Sequence, residues 1–245
     1  MSQKRILEIC ANSAESCIEA EKGGASRVEL CAAIPEGGTT PSYGEIKVAQ
    51  ESVQIPINVI IRPRGGDFLY SENELKAMLY DIALCKQLGV HGVVIGCLTA
   101  EGEVDKVMLK QLMDAAKPEL SVTFHRAFDV CKDPFKALEE IIEAGCDRIL
   151  TSGQQSTAYK GIEMLKQLVD KADGRIIIMP GCGGNEDNIA ELANVTGAKE
   201  FHTSARSRVY SGMIYRNENV PMGSCTTTSE FERDVTDSKR VAACL

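Results

Sequence analysis

The chain has 245 residues, of which 44% are hydrophobic, and a formal net charge of −8. This length and composition permit a sizeable buried core, whereas the acidic balance argues against a nucleic-acid or anionic-membrane surface, which would need a basic stripe. No apolar run approaches the ~20 residues that a membrane span requires, and the first residues lack the apolar core of a signal peptide. We therefore expect a cytoplasmic protein without a nucleic-acid or membrane partner.

Strand and helix patterns alternate along the chain. Predicted strands occupy 5–10, 26–31, 56–62, 92–98, the stretch 122–129, 148–152, 175–179 and 200–204. Predicted helices occupy 13–21, 43–51, 71–88, 105–116, 133–145, 157–172 and 185–194. Ser13 is placed to cap the first helix, Ser71 and Glu74 have the spacing of a capping box, and Pro134 lies in the first turn of the fifth helix.

Eight such units predict parallel strands joined by right-handed crossovers, which fit an α/β fold of the (β/α)8 TIM-barrel type. A doubly wound open sheet is the alternative, but it would normally carry a glycine-rich fingerprint after the first strand, and 11–13 is not one. We predict one barrel domain over 1–206. Residues 207–245 are polar and turn-rich, with a short possible helix at 237–245, and we expect this extension to pack on the barrel or on a neighbouring subunit.

Polar side chains recur on the inward side of the predicted strands. Alternation turns one side of each strand toward the helices and the other into the barrel, and the carboxyl ends of the strands surround the mouth where sites of this fold are built. The inward positions near this mouth form our set of candidate catalytic residues, together with an aspartate just beyond the fifth strand: Glu8, Glu29, Arg62, His125, Asp129 and His202. An ion network that only fills the barrel is the structural alternative.

Small residues follow the last strands of the predicted barrel. Loops after the seventh and eighth strands commonly bind phosphate in this fold through backbone N–H groups. The candidate anion-binding residues are Ser152, Gly153, Gly181, Gly183 and Ser204. The alternative is that the glycines only let strands turn into helices.

Cysteine is abundant, with ten residues scattered singly and no CxxC pair. This pattern predicts free thiols in a reducing compartment, most of them small core residues. Cys10 and Cys31 fall at equivalent mouth positions on adjacent predicted strands. Two soft thiolates suit Cu(I) better than harder ions, although buried inert cysteines are also consistent with the pattern.

Several stretches together resemble the CutC family of copper homeostasis proteins. The most specific are Arg-Pro-Arg-Gly-Gly-Asp-Phe at 62–68 and Phe-His-Arg-Ala-Phe-Asp at 124–129, with further matches at 27–31, 36–42 and 148–153. The resemblance implies a cytoplasmic barrel, usually a homo-oligomer, that is linked to copper tolerance and binds Cu(I) through cysteine thiols. Cys31 lies within a family motif, whereas Cys10 does not.

Two functions are left open at this point. The first is a copper-handling protein in which Cys31, with Cys10, binds Cu(I). The second is an enzyme, whether isomerase, lyase or hydrolase, that acts on a small anionic or phosphorylated metabolite. There Glu8 or Glu29 would act as general acid or base, His125 would polarise the substrate or shuttle a proton, and Arg62 would orient an anionic group.

Overall fold

Eight parallel strands form the central sheet in a computed structural model that describes residues 5–217, 219–220 and 229–245. The strands are β1 Ile6–Ala11, β2 Arg27–Leu30, β3 Ile57–Ile60, β4 Gly92–Ile95, β5 Ser121–Phe124, β6 Arg148–Thr151, β7 Ile177–Pro180 and β8 Glu200–Thr203. Backbone ladders join them in the order β7-β6-β5-β4-β3-β2-β1-β8. The predicted TIM barrel is thereby confirmed.

The barrel closes between β7 and β8, which lie side by side. Among the described residues no backbone ladder pairs these two strands. The Thr203 hydroxyl instead donates to the Gly184 carbonyl at 2.5 Å, just beyond the end of β7. On the other side of β8, Glu8 of β1 is in register with His202, and it is also in register with Arg27 of β2.

A helix follows each of the first seven strands. These helices are α1 Ala14–Lys22, α2 Tyr43–Ser52, α3 Glu72–Leu88, α4 Lys106–Ala116, α5 Pro134–Ala144, α6 Ile162–Ala172 and α7 Ile189–Thr196. Ser13 caps α1, Ser71 and Glu74 form the predicted capping box of α3, and Pro134 opens α5. The outward side of the strands, including Leu7 and Val28, packs against the helices as the alternation predicts.

Three predicted boundaries were wrong by four or more residues, and hydrogen bonds explain each. The fifth strand ends at Phe124 because His125 caps a 3-10 helix, Arg126–Val130. The helix predicted from 157 begins at Ile162, since Ala158 N–H donates to the Cys182 carbonyl in the loop after β7. The helix predicted from 185 begins at Ile189, since the Asn188 side chain holds 185–188 as a turn.

The C-terminal extension has more structure than its sequence predicts. Strands β9 Arg206–Tyr210 and β10 Glu232–Thr236 form an antiparallel pair, and helix α8 Ser238–Ala243 follows them. α8 packs closely on the barrel, because a Cβ added at Gly23 beyond α1 would lie 2.5 Å from the Cβ of Val241. Thr236 N–H donates to the hydroxyl of Ser16 in α1 at 3.1 Å. The described part of the extension thus covers α1.

Within the described residues, no helix combines the length and the apolarity needed to cross a membrane.

Candidate functional site

A cavity of about 540 Å³ opens at the carboxyl ends of the strands, and we call it the mouth. Polar and apolar residues line it, and almost every strand, or the loop that follows the strand, contributes at least one of them. They are Cys10, Glu29, Ile34, Gly37, Ile60, Arg62, Phe68, His125, Arg126, Asp129, Val130, Leu150, Cys182, Gly183, Gly184, His202, Thr203, Ser204 and Arg206.

Two free thiols, which we call the thiol pair, lie together in the wall of the mouth. The Sγ atoms of Cys10 and Cys31 are 3.4 Å apart. A carboxylate oxygen of Glu29 lies within 4.8 Å of both sulfurs. This closeness follows from register, since Cys10 of β1 pairs with Glu29 of β2 and Cys31 follows Glu29 by two residues. The pair offers two soft donors and one oxygen donor to a metal ion.

Positive charge surrounds Cys10. The Arg206 guanidinium donates to Cys10 Sγ at 3.2 Å. A hydrogen bond from Cys31 outweighs the effect of burial and, with His202 and Arg206, holds the pKa of Cys10 well below its usual range. The same hydrogen bond, together with burial, raises the pKa of Cys31. One thiol of the pair is therefore prepared to be a thiolate, while the other must lose a proton when it binds a metal.

Beneath the mouth, a charge network fills the barrel. Arg27 donates to Glu8 and, at 2.5 Å, to Glu200. Arg148 donates to the same oxygen of Glu200 at 3.2 Å, and Asn58 donates to Glu8 at 3.1 Å. Burial would raise the pKa of Glu8, but Arg27 and a hydrogen bond from His202 outweigh it and lower this pKa to about 2. Glu8 is thus a permanent carboxylate that anchors cations.

His202 links this network to the thiol pair. Its Nδ1 lies 2.9 Å from Glu8 Oε1, and its Nε2 lies 3.6 Å from Glu29 Oε2. Burial opposes the charged imidazolium, but Cys10, Glu8 and Glu29 outweigh burial and raise the pKa of His202 well above its usual value. Burial also raises the pKa of Glu29 to about 8, although His202 opposes the rise.

Arg62 fixes the loops on one side of the mouth. Its guanidinium donates to the carbonyls of Glu36 at 2.7 Å, Gly38 at 2.8 Å and Gly66 at 2.8 Å. Its Cζ lies 5.1 Å from the centroid of the Phe68 ring, within cation–π range. Backbone carbonyls and an aromatic face therefore surround the positive charge of Arg62.

His125 is held beside Arg62 as a neutral ring. Its Nδ1 accepts a hydrogen bond from the Ala127 amide at 3.1 Å, so the ring proton lies on Nε2. Nε2 has no hydrogen-bond partner among the described residues. Burial and the neighbouring Arg62 lower the pKa of His125 to about 3. Gly96 makes room for the ring, because a Cβ there would lie 2.5 Å from its Cε1 and Nδ1.

The carboxylate of Asp129 reaches into the loop after β6, which we predicted to be part of an anion site. Its carboxylate accepts from the Ser152 amide at 2.9 Å and 3.0 Å, from the Gln154 amide at 3.2 Å and from the Thr151 hydroxyl at 2.5 Å. The Gly153 amide donates to the Thr151 hydroxyl at 2.9 Å. The Ser152 amide is therefore engaged by the protein's own carboxylate and the Gly153 amide by the Thr151 hydroxyl, so the prediction that these two donors bind a ligand anion needs correction.

Comparison with known proteins agrees with this architecture. A family model described as the CutC family matches residues 5–207. The chain is 69% identical to a family protein CutC of Parabacteroides distasonis, over 99% of this chain and 100% of that protein. It is 49% identical to the human copper homeostasis protein cutC homolog, over 96% of this chain and 86% of that protein.

The chain belongs to the CutC family. A crystal structure of CutC from Streptococcus agalactiae superposes with a TM-score of 0.77 at 36% identity, covering 82% of this chain and 98% of that one. The motifs at 62–68 and 124–129 that suggested the family place Arg62, His125 and Asp129 around the mouth of this CutC protein.

Most predicted site residues of this CutC protein meet at one end of the barrel. Glu29, Arg62, His125, Asp129, His202, Cys10, Gly183 and Ser204 line the mouth. Cys31 lies directly against Cys10, and Glu8 lies one layer below. Gly181 is outside the lining, and its amide donates to the Thr151 carbonyl at 3.0 Å.

Sequence reasoning missed several charged residues of this family member. Arg27 and Glu200 precede Glu29 and His202 by two residues, so the same period of two would have found them on the inward side. Arg148 of β6 is also buried in the barrel. Phe68 and Arg206 lie outside the barrel strands, where no periodic signal indicates a direction.

Proposed function

We propose that this CutC family member binds Cu(I) as cargo between the thiols of Cys10 and Cys31. The observation that carries the proposal is the separation of 3.4 Å between two free sulfurs, of which Cys10 lines the mouth and Cys31 lies directly against it. The human relative at 49% identity carries the name copper homeostasis protein, which agrees with a copper-handling role.

The chemistry of the donors supports Cu(I) over other ions. Thiolates are soft ligands and favour Cu(I), whereas Mg²⁺ and Ca²⁺ prefer several oxygen donors. The cluster of Cys10, Glu29 and Cys31 contains a single carboxylate and no neutral imidazole. Arg206 beside Cys10 offsets the negative charge that two thiolates would bring into a buried wall.

A Cu(I) titration of the reduced protein under anaerobic conditions, against a competing chelator, tests this proposal. We expect one tight site in the wild type and its loss in the double variant Cys10→Ser/Cys31→Ser. Cys182→Ser is the matched control, because Cys182 also lines the mouth but its thiol donates to the Ser156 carbonyl and not to a second thiol among the described residues. Unchanged affinity in the double variant would remove the thiol site.

A second function is favoured by a different observation. The mouth is far larger than one metal ion requires, and it contains a buried His125 Nε2 without a partner among the described residues. We infer that an enzyme acting on a small anionic metabolite is the second candidate. A thermal-shift screen of metabolites on wild type and His125→Ala, followed by product analysis for each hit, tests it. Binding without turnover would argue against the enzyme.

Two further expectations from the family resemblance, a homo-oligomer and a cytoplasmic location, stay predictions.

A further inference from the structure

Arg62 is a buried cation whose charge no carboxylate balances. It is 5% exposed, and no acidic side chain forms an ion pair with it within the described ranges. By contrast, Arg27 and Arg148 in the barrel both face Glu200. Backbone carbonyls solvate part of the Arg62 guanidinium, but a buried charge without a counter-ion is costly. The missing counter-ion can be supplied by a ligand.

His125 presents a donor beside this cation. Both groups contact the same aromatic ring, since the His125 centroid lies 4.9 Å and the Arg62 Cζ lies 5.1 Å from the centroid of Phe68. The His125 ring is 4% exposed, and its Nε2–H has no partner in the described part of the chain. A buried donor without a partner is energetically unfavourable, so its persistence indicates a partner that arrives with a ligand.

The dimensions of the mouth fit a small organic molecule. Its volume of about 540 Å³ lies within the range of about 300–1,000 Å³ that is usual for ligand pockets. Ile34, Ile60, Val130 and Leu150 supply apolar wall. The combination of apolar wall, one unbalanced cation and one neutral donor suits a molecule with an anionic end and a second oxygen acceptor.

We propose that the mouth binds a small organic oxyanion, a carboxylate or a phosphate monoester, whose charge pairs with Arg62 and whose neighbouring oxygen accepts the Nε2–H of His125. This inference names the ligand class of the second candidate function and rests on it. It does not depend on copper, because neither Arg62 nor His125 belongs to the proposed copper site at the thiol pair.

Thermal unfolding of the full-length, metal-free, reduced protein at constant ionic strength tests this inference. The carboxylate probe is pyruvate, with the neutral pyruvamide as its control, and the phosphate probe is glycerol 3-phosphate, with glycerol as its control. We expect one of the anions, but neither neutral analogue, to raise the midpoint of unfolding in proportion to the logarithm of its concentration. The anion that does so identifies the source of the charge.

Variants then locate the site. We expect Arg62→Gln to abolish the shift and His125→Gln to weaken the apparent affinity at least about 10-fold, since a lost hydrogen bond to a charged group costs about 1.5–3 kcal/mol. Arg64→Gln is the matched control, because Arg64 lies on the same loop but outside the mouth. Where Arg62→Gln does not fold, Arg62→Lys replaces it, with weakened binding expected.

Three results would overturn the inference: no shift with either anion, equal shifts with the neutral analogues, or equal shifts in wild type and both mouth variants. The Cys31→Ser variant separates the two functions, because Cys31 lies against Cys10 but outside the lining of the mouth, so this variant should lose tight Cu(I) binding and keep the anion. An anion that binds without being turned over would leave this inference standing and would remove only the enzyme.

Discussion

Arg27 is the central cation of the barrel interior, because it contacts both Glu8 and Glu200. All three side chains are almost completely buried. A buried ion network is a weak source of stability compared with apolar packing, yet removal of one partner leaves buried charges that the remaining partners compensate only in part. Loss of Arg27 should therefore lower the stability of the whole barrel.

We expect Arg27→Met to lower the free energy of unfolding by about 3–5 kcal/mol, because two buried carboxylates would lose their shared partner. Urea unfolding followed by circular dichroism measures this difference. Arg175→Met is the control, since Arg175 forms its ion pair with Glu139 at the surface and should be nearly silent. Equal small effects of both substitutions would show that Arg27 is not needed to balance the interior.

His125 should make stability depend on pH. Its pKa falls from 6.5 to about 3 on folding, through burial and Arg62. Below pH 6.5 this residue takes up a proton in the unfolded chain, but it stays neutral in the folded protein. This contribution to stability is therefore present above pH 6.5 and is lost as the pH falls toward 3, by up to about 1.4 kcal/mol per pH unit.

The measurement is urea unfolding at several pH values between 6.5 and 5, before most carboxylates titrate. We expect the slope of unfolding free energy against pH to be shallower in His125→Gln than in wild type. The control is His91→Gln, since His91 is exposed and should remove a smaller part of the slope. Identical slopes in wild type and His125→Gln would mean that folding does not lower the pKa of His125.

The short segment after β4 sets the position of the His125 ring. Gly96 has no Cβ, and one placed there would overlap the imidazole. We expect Gly96→Ala to cost about 1–3 kcal/mol of unfolding free energy, as overpacking of a dense interior generally does. It should also weaken any ligand that depends on His125. Gly44→Ala is the control, because Gly44 lies in α2 with its nearest atom at 3.9 Å and should tolerate the methyl group.

How far the strands could be predicted depends on what their side chains face. Period-two alternation correctly placed Glu8, Glu29 and Arg62 on the inward side, because the opposite side is uniformly apolar. The pairing of Glu8 with Arg27 and His202 could not be predicted, since it depends on register between strands that are distant in sequence. Alternation assigns a side to a residue, but it does not assign a partner.

Loops were less predictable than strands for a related reason. A glycine-rich turn offers backbone donors, but sequence alone does not show whether the protein already fills them. Here the carboxylate of Asp129, which we predicted as catalytic, accepts from the Ser152 and Gln154 amides across the loop. Likewise, β9 and β10 are separated by more than twenty residues, and half of their side chains are exposed, so no hydrophobic pattern predicted their pairing.

Charge is unevenly distributed through the molecule. The formal net charge is −8, yet the interior and the mouth contain Arg27, Arg62, Arg148 and Arg206. Acidic residues on the outer surface are screened within about 10 Å at ordinary ionic strength, whereas the guanidinium groups of the mouth act at short range. The molecule as a whole repels anions weakly, while its mouth is suited to hold one. Of these cations, Arg206 also favours the thiolate form of Cys10.

The described extension leaves an apolar patch in solvent, formed by Tyr210, Met213, Ile214 and Tyr215. Ile214 is fully exposed and Tyr215 is 76% exposed. Large apolar side chains that are exposed so close together in the sequence often mark a contact with another protein. Together with the expectation drawn from the family resemblance, the patch favours contact with a second copy of the chain.

We expect sedimentation velocity at micromolar concentration to show a homo-oligomer for wild type and a smaller species for Ile214→Glu, because a charge would be buried in the contact. Tyr80→Glu is the matched control, since Tyr80 is a single aromatic residue that is 78% exposed on α3. Its substitution should leave the sedimentation coefficient unchanged. A monomeric wild type would contradict the predicted oligomer, and dissociation by Tyr80→Glu alone would move the contact from the extension to α3.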